Sequence, residues 1–232
     1  MALKGTGVLA IWNGIAGGAD EEFLEWHVKE HMPERVRVPG FLRGRRYAAV
    51  EADPAYFNFY EVESPRILTS PAYLDRLNDP SDWTRKVVSN FLDTARTICR
   101  VESSVGEGEA GFIAVMPFQA LDTAEPARTR RAAAIGRMLE RRGIVGAHVL
   151  LAVAAPAAET SENRLRGGPD VTWGAILMVE AVAADAMEQL HDADLASASL
   201  VGSGFSEPAR RGLYRFEYAL DATDLSRVAS EA

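Results

Sequence analysis

The sequence has one cysteine, Cys99, so it can build neither an internal disulfide nor a thiolate metal cluster. It also lacks any long apolar run. The richest stretch, Val149 to Ala155, falls far short of the roughly 20 residues that span a bilayer. Near the start, Val8 to Trp12 is broken by Asn13 and Gly14, too short for a secretory core. Gly106 and Gly108, and likewise Gly202 and Gly204, stand without the rest of any phosphate-binding fingerprint, so no nucleotide cofactor is expected. Positive charge is not in excess either. Lys and Arg number 25 against 33 Asp and Glu, a net charge of −8, which argues against nucleic acid or an anionic membrane as partner. What remains is a 232-residue globular composition, 47% hydrophobic and 25% charged, expected in the cytoplasm with a small molecule as its partner. The length allows one large domain or two small ones.

Internal similarity decides between them. Gly7 to Trp12 resembles Gly111 to Met116, 104 residues on, and Gly40-Phe41-Leu42 resembles Gly143-Ile144-Val145, 103 residues on. Phe59 to Glu63 resembles Leu177 to Glu180 with Glu63 on Glu180, a shift of 117. The surplus fits an Ala-, Gly- and Pro-rich insertion from Pro156 to Asp170, which reads as a loop. The order and near-constant spacing predict a duplication, with units at 1–106 and 107–232.

In the first unit, apolar patterning predicts strands at Val8 to Trp12, Phe41 to Val50, Tyr56 to Glu63 and Thr94 to Val101. Asp20 serves as N-cap to a helix from Glu21 to Arg35, and a second helical region covers Tyr73 to Leu77 and Trp83 to Leu92. The second unit repeats the order: strands at 112–118, 145–154, 172–181 and 212–220, with helices at 127–142 and 184–191. Both units therefore read β-α-β-β-α-β, the ferredoxin-like split βαβ arrangement of the α+β class. Each unit leaves one apolar sheet face uncovered. Two tandem units packed sheet to sheet would cover each other and form a barrel with helices outside.

The most informative segment is Phe23-Leu24-Glu25-Trp26-His27-Val28-Lys29-Glu30-His31-Met32-Pro33, followed by Pro39-Gly40-Phe41 and Arg45-Arg46-Tyr47. With Tyr60 to Glu63, Ser70 to Tyr73 and Trp83-Thr84, it resembles the EthD-like branch of the dimeric α/β barrel superfamily over roughly Gly5 to Val101. The resemblance implies the barrel fold and a homodimer of the tandem chain. It does not choose a reaction, because the superfamily hosts isomerases, cyclases, cofactor-free monooxygenases, decarboxylases and haem enzymes.

His27 and His31 are four apart and share a helix face with Phe23. A neutral imidazole in an apolar pocket suits a general base, with His31 favoured by the resemblance and Glu30 as orienting or second acid–base group. Arg45 and Tyr47 share a strand face and are expected to hold an oxyanion. Trp26, Trp12 and Phe59 are expected to line an aromatic site. His27 to His31 also matches His-x-x-Glu-His, but Pro33 and the surrounding repeat argue against a zinc hydrolase, so no metal is expected. At offset 104 the two histidines fall on Arg131 and Ile135, which places the site in the first half. The leading expectation is a cofactor-independent lyase, isomerase or cyclase of small aromatic or carbonyl compounds. The alternatives are a haem enzyme with a ligand such as His191, and a non-catalytic binder of a hydrophobic metabolite.

Overall fold

The computed structural model describes residues 3–154, 160–167 and 170–229. Strands β1 (Gly7–Ile15), β2 (Phe41–Glu51), β3 (Tyr56–Val62) and β4 (Phe91–Gly106) come from the first half. Strands β5 (Phe112–Phe118), β6 (Ile144–Ala152), β7 (Ala175–Ala181) and β8 (Gly212–Asp221) come from the second. All eight strands foreseen from the sequence are present. They close into one antiparallel barrel in the order β1-β3-β2-β8-β5-β7-β6-β4. Each half supplies a four-stranded sheet, and the β2–β8 and β4–β6 ladders join the two. Those seams remove every sheet edge, so the barrel is complete within one chain.

Alternation along the strands sorts the side chains. Val8, Ala10 and Trp12 of β1, with Phe57 and Phe59 of β3, point into the barrel among Ile113, Val115, Ile176 and Met178. Leu9 and Tyr60 point outward to the helices. This parity corrects the repeat register. Val8 lies opposite Glu61 just as Ile113 lies opposite Glu180, so Val8 corresponds to Ile113 and Glu61 to Glu180. An offset of 104 would pair Leu9 with Ile113, which face opposite sides of the sheet, and a one-residue slip does that to every side chain.

The first helix is less regular than expected. α1 (Asp20–Trp26) runs into a π-helical turn (His27–His31) and then α2 (Met32–Val36). Its N-cap is Ala19, not Asp20; Asp20 is the first helical residue and accepts a hydrogen bond from Tyr56 Oη at 3.0 Å. Pro33 accounts for the wide turn. Proline has no N–H to donate, and its ring would collide with the carbonyl four residues back. Widening lets the Met32 N–H reach His27 O instead.

Helices α3 (Pro71–Asn78) and α4 (Asp82–Val88) complete the first half's outer layer. Both are capped by serine side chains, Ser70 accepting from Tyr73 N and Ser81 from Thr84 N. The second half adds α5 (Glu125–Leu139), α7 (Ala184–Asp192) and α8 (Ser197–Gly202). The insertion foreseen as a loop holds a short helix, α6 (Ser161–Leu165), and α9 (Ala222–Ala229) follows β8. Residues 155–159 and 168–169 of that insertion, which include Gly168 and Pro169, lie outside the described residues.

Candidate active site

The two outer sheet faces are filled differently. Over the second sheet, Met116, Phe118, Ile135, Met138, Leu177 and Phe205 pack into a continuous apolar core. Ile135, at the place expected for the second copy's counterpart of His31, is wholly buried there. Arg131, at the place expected for the counterpart of His27, is locked in two bonds to Glu102, at 2.8 and 2.9 Å. Over the first sheet a cavity of about 40 Å³ remains, room for a few waters. Its floor is Leu9, Ile11, Asn13, Asn58 and Tyr60; its roof is Phe23, Trp26, His27, His31 and Arg35.

The π turn aligns that roof. Phe23, His27, His31 and Arg35 recur every four residues, and an unbroken α-helix would carry the last of them about 120° round from the first. Five residues wound at roughly 4.4 per turn cancel about three quarters of this drift. The four side chains therefore descend in one line over the sheet, Phe23 over Tyr56 with ring centroids 4.7 Å apart and His31 beside Tyr60 at 6.5 Å. The imidazoles of His27 and His31 lie 5.5 Å apart, and the Trp26 indole covers His31 at 4.3 Å.

Polar satisfaction marks this cavity out. Among the described residues, seven buried side-chain N or O atoms have no hydrogen-bond partner. Six belong to cavity residues: His27 Nδ1, His31 Nδ1, Asn13 Nδ2, Asn58 Oδ1, Tyr60 Oη and Arg35 Nη1. Each such group costs about 1–3 kcal/mol, so six around one void is the pattern of a site awaiting a ligand or ordered water.

Both histidines titrate well below the ordinary value of 6.5. For His27 the causes are burial first, then the charges of Arg46 and Arg35; for His31 they are burial, then Arg35. The native rings are thus neutral at pH 7, whereas the unfolded chain protonates them as pH falls through 6.5. Stability is therefore complete above that pH and lost below it, at about 1.4 kcal/mol per pH unit for each ring. Urea midpoints at pH 7 and pH 5.5 check this. The expected fall should largely vanish in a His27→Gln/His31→Gln variant; an equal fall in that variant would place the acid sensitivity elsewhere.

The structure separates the expected site residues into two groups. His27, His31 and Trp26 meet at the cavity. Glu30 does not face it: its carboxylate accepts from Trp26 Nε1 at 3.3 Å and from Thr84 Oγ1 at 3.0 Å, tying Trp26 to α4. Any influence of Glu30 on His31 passes through the indole. Arg45, Tyr47, Trp12 and Phe59 lie on the opposite face of the sheet, inside the barrel. There Arg45 donates to Glu61 at 3.0 Å, to Glu180 at 3.1 Å and to Tyr47 Oη at 3.2 Å, and its guanidinium stacks 4.5 Å from the Phe59 ring. They contribute to the barrel core rather than to the cavity, because β2, past the irregularity between Phe41 and Arg43, turns Arg45 and Tyr47 inward. Asn13, Asn58, Arg35, Tyr60 and Glu162 escaped the sequence reading. Polar residues on the helix-facing side of β1 and β3 were the available signal.

Among the described residues, those expected to ligate a haem or a metal are not gathered for it. Among the described residues no three His, Cys, Asp or Glu side chains converge as metal ligands. His191 is exposed beside Asp192, and the outer face of the second sheet, where a haem on that helix would sit, is packed solid.

No family model and no curated protein sequence matches the chain. Solved structures do match in fold. An anthrone oxidase-like protein superposes with a TM-score of 0.62 at 12% identity, over 93% of this chain and 92% of its own. A protein assigned as a monooxygenase from Fusobacterium nucleatum gives 0.56 at 8% identity, over 94% and 96%. One assigned as a chlorite dismutase gives 0.56 at 9%, over 97% and 99%. The chain therefore has the dimeric α/β barrel-type, ferredoxin-like fold, and these matches do not bear out the EthD-like resemblance. Among the described residues no helix is long and apolar enough to cross a membrane.

Proposed function

We propose that this protein is a cofactor-independent enzyme that removes a proton from a small aromatic or carbonyl-bearing molecule held between the first sheet and its helices. One observation carries the reading: six orphaned polar atoms surround a single cavity whose two imidazoles are neutral. His31 is the base, His27 its neighbour in proton relay, and Trp26 and Phe91 the apolar clamp. Asn13 Nδ2 and Tyr60 Oη supply the donors for the developing oxyanion, the role expected from sequence for Arg45 and Tyr47. A preformed donor pair in a dry cavity is worth most when charge develops next to it. The expected unit 1–106 supplies the histidines, while 107–232 closes the barrel and adds Glu162 and Arg166 to the cavity wall, in a cytoplasmic chain that also forms homodimers.

Proton abstraction is the step shared by isomerisation, elimination and oxidation by dioxygen. Fold relatives assigned as a monooxygenase and as anthrone oxidase-like favour the last, as analogy only. The test is a panel of small aryl ketones and phenols, with solvent-deuterium exchange followed by mass spectrometry and oxygen uptake by electrode. Acceleration by the wild type, abolished in His31→Ala and reduced in His27→Ala, supports the proposal. If both variants leave exchange and ligand binding untouched, it is wrong.

A further inference from the structure

We propose that the ligand of this cavity is a small apolar or aromatic carboxylate, and that Glu162 is its built-in surrogate, holding Arg35 until the carboxylate of the ligand displaces it. The inference rests on the reading of the cavity as the working site, and it names the substrate class and the way that site opens.

Arg35 is the last member of the roof stripe and only 2% exposed. Its Nη2 donates to the carboxylate of Glu162, which α6 brings over from the second half of the chain. Its Nη1 has no hydrogen-bond partner; Glu34 Oε2 lies 3.6 Å away. Tyr60 Oη is also unpartnered. Burial disfavours the charge on Arg35 and the Glu162 carboxylate opposes that effect, so the guanidinium stays charged.

The cavity's other two arginines already have partners. Arg166 is held by Asp170 through bonds of 2.8 and 2.9 Å, and Arg96 donates to Tyr73 Oη at 2.9 Å. An anion entering the cavity thus meets an unused N–H on Arg35. A guanidinium matches a planar carboxylate through two parallel bonds, and Glu162 shows that a carboxylate fits this position. Leu9, Ile11, Trp26 and Phe91 require the remainder of the ligand to be apolar.

Size supplies the second half of the argument. With Glu162 in place the cavity is about 40 Å³, whereas a dry cavity of about 150 Å³ is what admits a benzene ring. Space for an aromatic acid therefore comes from removing a wall. Glu162 and Arg166 are the walls contributed by the segment containing α6. The helix has five residues, caps itself through Thr160, and is bonded to α3 where Ser161 meets Asn78. Exchange of the Glu162 carboxylate for that of the ligand frees α6 from Arg35 without leaving the buried guanidinium unpaired at any stage, which is the condition for a low-cost opening.

The experiment uses the full chain, with benzoate as probe and benzamide as its neutral counterpart, by isothermal titration and by melting temperature. Glu162→Gln removes the competing charge and should bind benzoate at least tenfold more tightly than the wild type, with a larger melting shift. Benzamide should bind that variant at least tenfold more weakly than benzoate. Arg35→Met should abolish the preference for the acid. Should Glu162→Gln not fold without ligand, Glu162→Asp, with a shorter reach to Arg35, should show the same direction of change. Equal benzoate affinity in wild type and the Glu162 variant, or no preference for benzoate over benzamide, overturns the inference. If a neutral phenol binds in a His31-dependent manner while benzoate does not, the carboxylate class falls and the site reading stands. If no probe binds in any form, both fall.

Discussion

Arg45→Ala should destabilise the protein by about 3–5 kcal/mol, the usual consequence of stripping one partner from a buried ion pair, while leaving ligand binding in the cavity unchanged. The guanidinium is fully buried and joins Glu61 of the first half to Glu180 of the second. Without it Glu61 keeps Arg43, through bonds of 2.8 and 3.1 Å. Among the described residues, Glu180 then keeps only the His148 side chain, at 3.3 Å. Burial would then raise the Glu180 carboxyl, which His148 and Arg45 together now hold below its usual range. The sign of the pH effect follows. A carboxyl raised above its unfolded value destabilises most at high pH, so the cost of Arg45→Ala should shrink between pH 7 and pH 5. Adding Glu180→Gln removes the stranded charge and should recover part of the loss. Urea unfolding followed by circular dichroism measures all three. A loss under 1 kcal/mol, or a folded variant with an empty cavity, would return Arg45 to the site where its sequence context first placed it.

His31→Ala should lower turnover of any substrate found by the screen by about 10²- to 10⁴-fold, the range for a lost general base. His27→Ala should cost less, because that ring packs against Phe23 whereas His31 faces Tyr60 and Arg35. Since burial and Arg35 hold His31 neutral, the acid limb of kcat/KM should lie below pH 6.5. Glu30→Gln keeps the shape of the carboxylate but weakens its grip on Trp26, and should raise KM more than it lowers kcat. If His31→Ala leaves turnover within about threefold of the wild type, the base lies elsewhere.

The strands were legible because every one alternates cleanly or is bounded by Gly and Pro, and the duplication was legible because those strands recur in order. The exact register was not. Glu61 and Glu180 are twofold counterparts, yet similarity of neighbouring letters paired Glu180 with Glu63, and only hydrogen-bonded ladders count residues across a barrel. The histidine stripe was visible as i, i+4 spacing, although the π turn that keeps Arg35 in the same line was hidden in the effect of Pro33 on the turn before it. Arg45 and Tyr47 misled for a physical reason. A strand arginine beside a tyrosine looks the same whether it faces a cavity or the barrel, and β2 turns it toward Glu61 and Glu180. Glu162 could not have been found from its neighbours at all, since it reaches Arg35 from 127 residues away.

With only four histidines in the chain, their ring signals can be assigned by single substitutions and followed by NMR across pH in the presence and absence of a small aryl ligand. The proposed site predicts that His27 and His31 titrate well below 6.5 and that ligand shifts the signals of these two while leaving those of His148 and His191 unmoved. Titration of His27 and His31 near 6.5 with no response to any ligand, or a response centred on His148 inside the barrel, would contradict it.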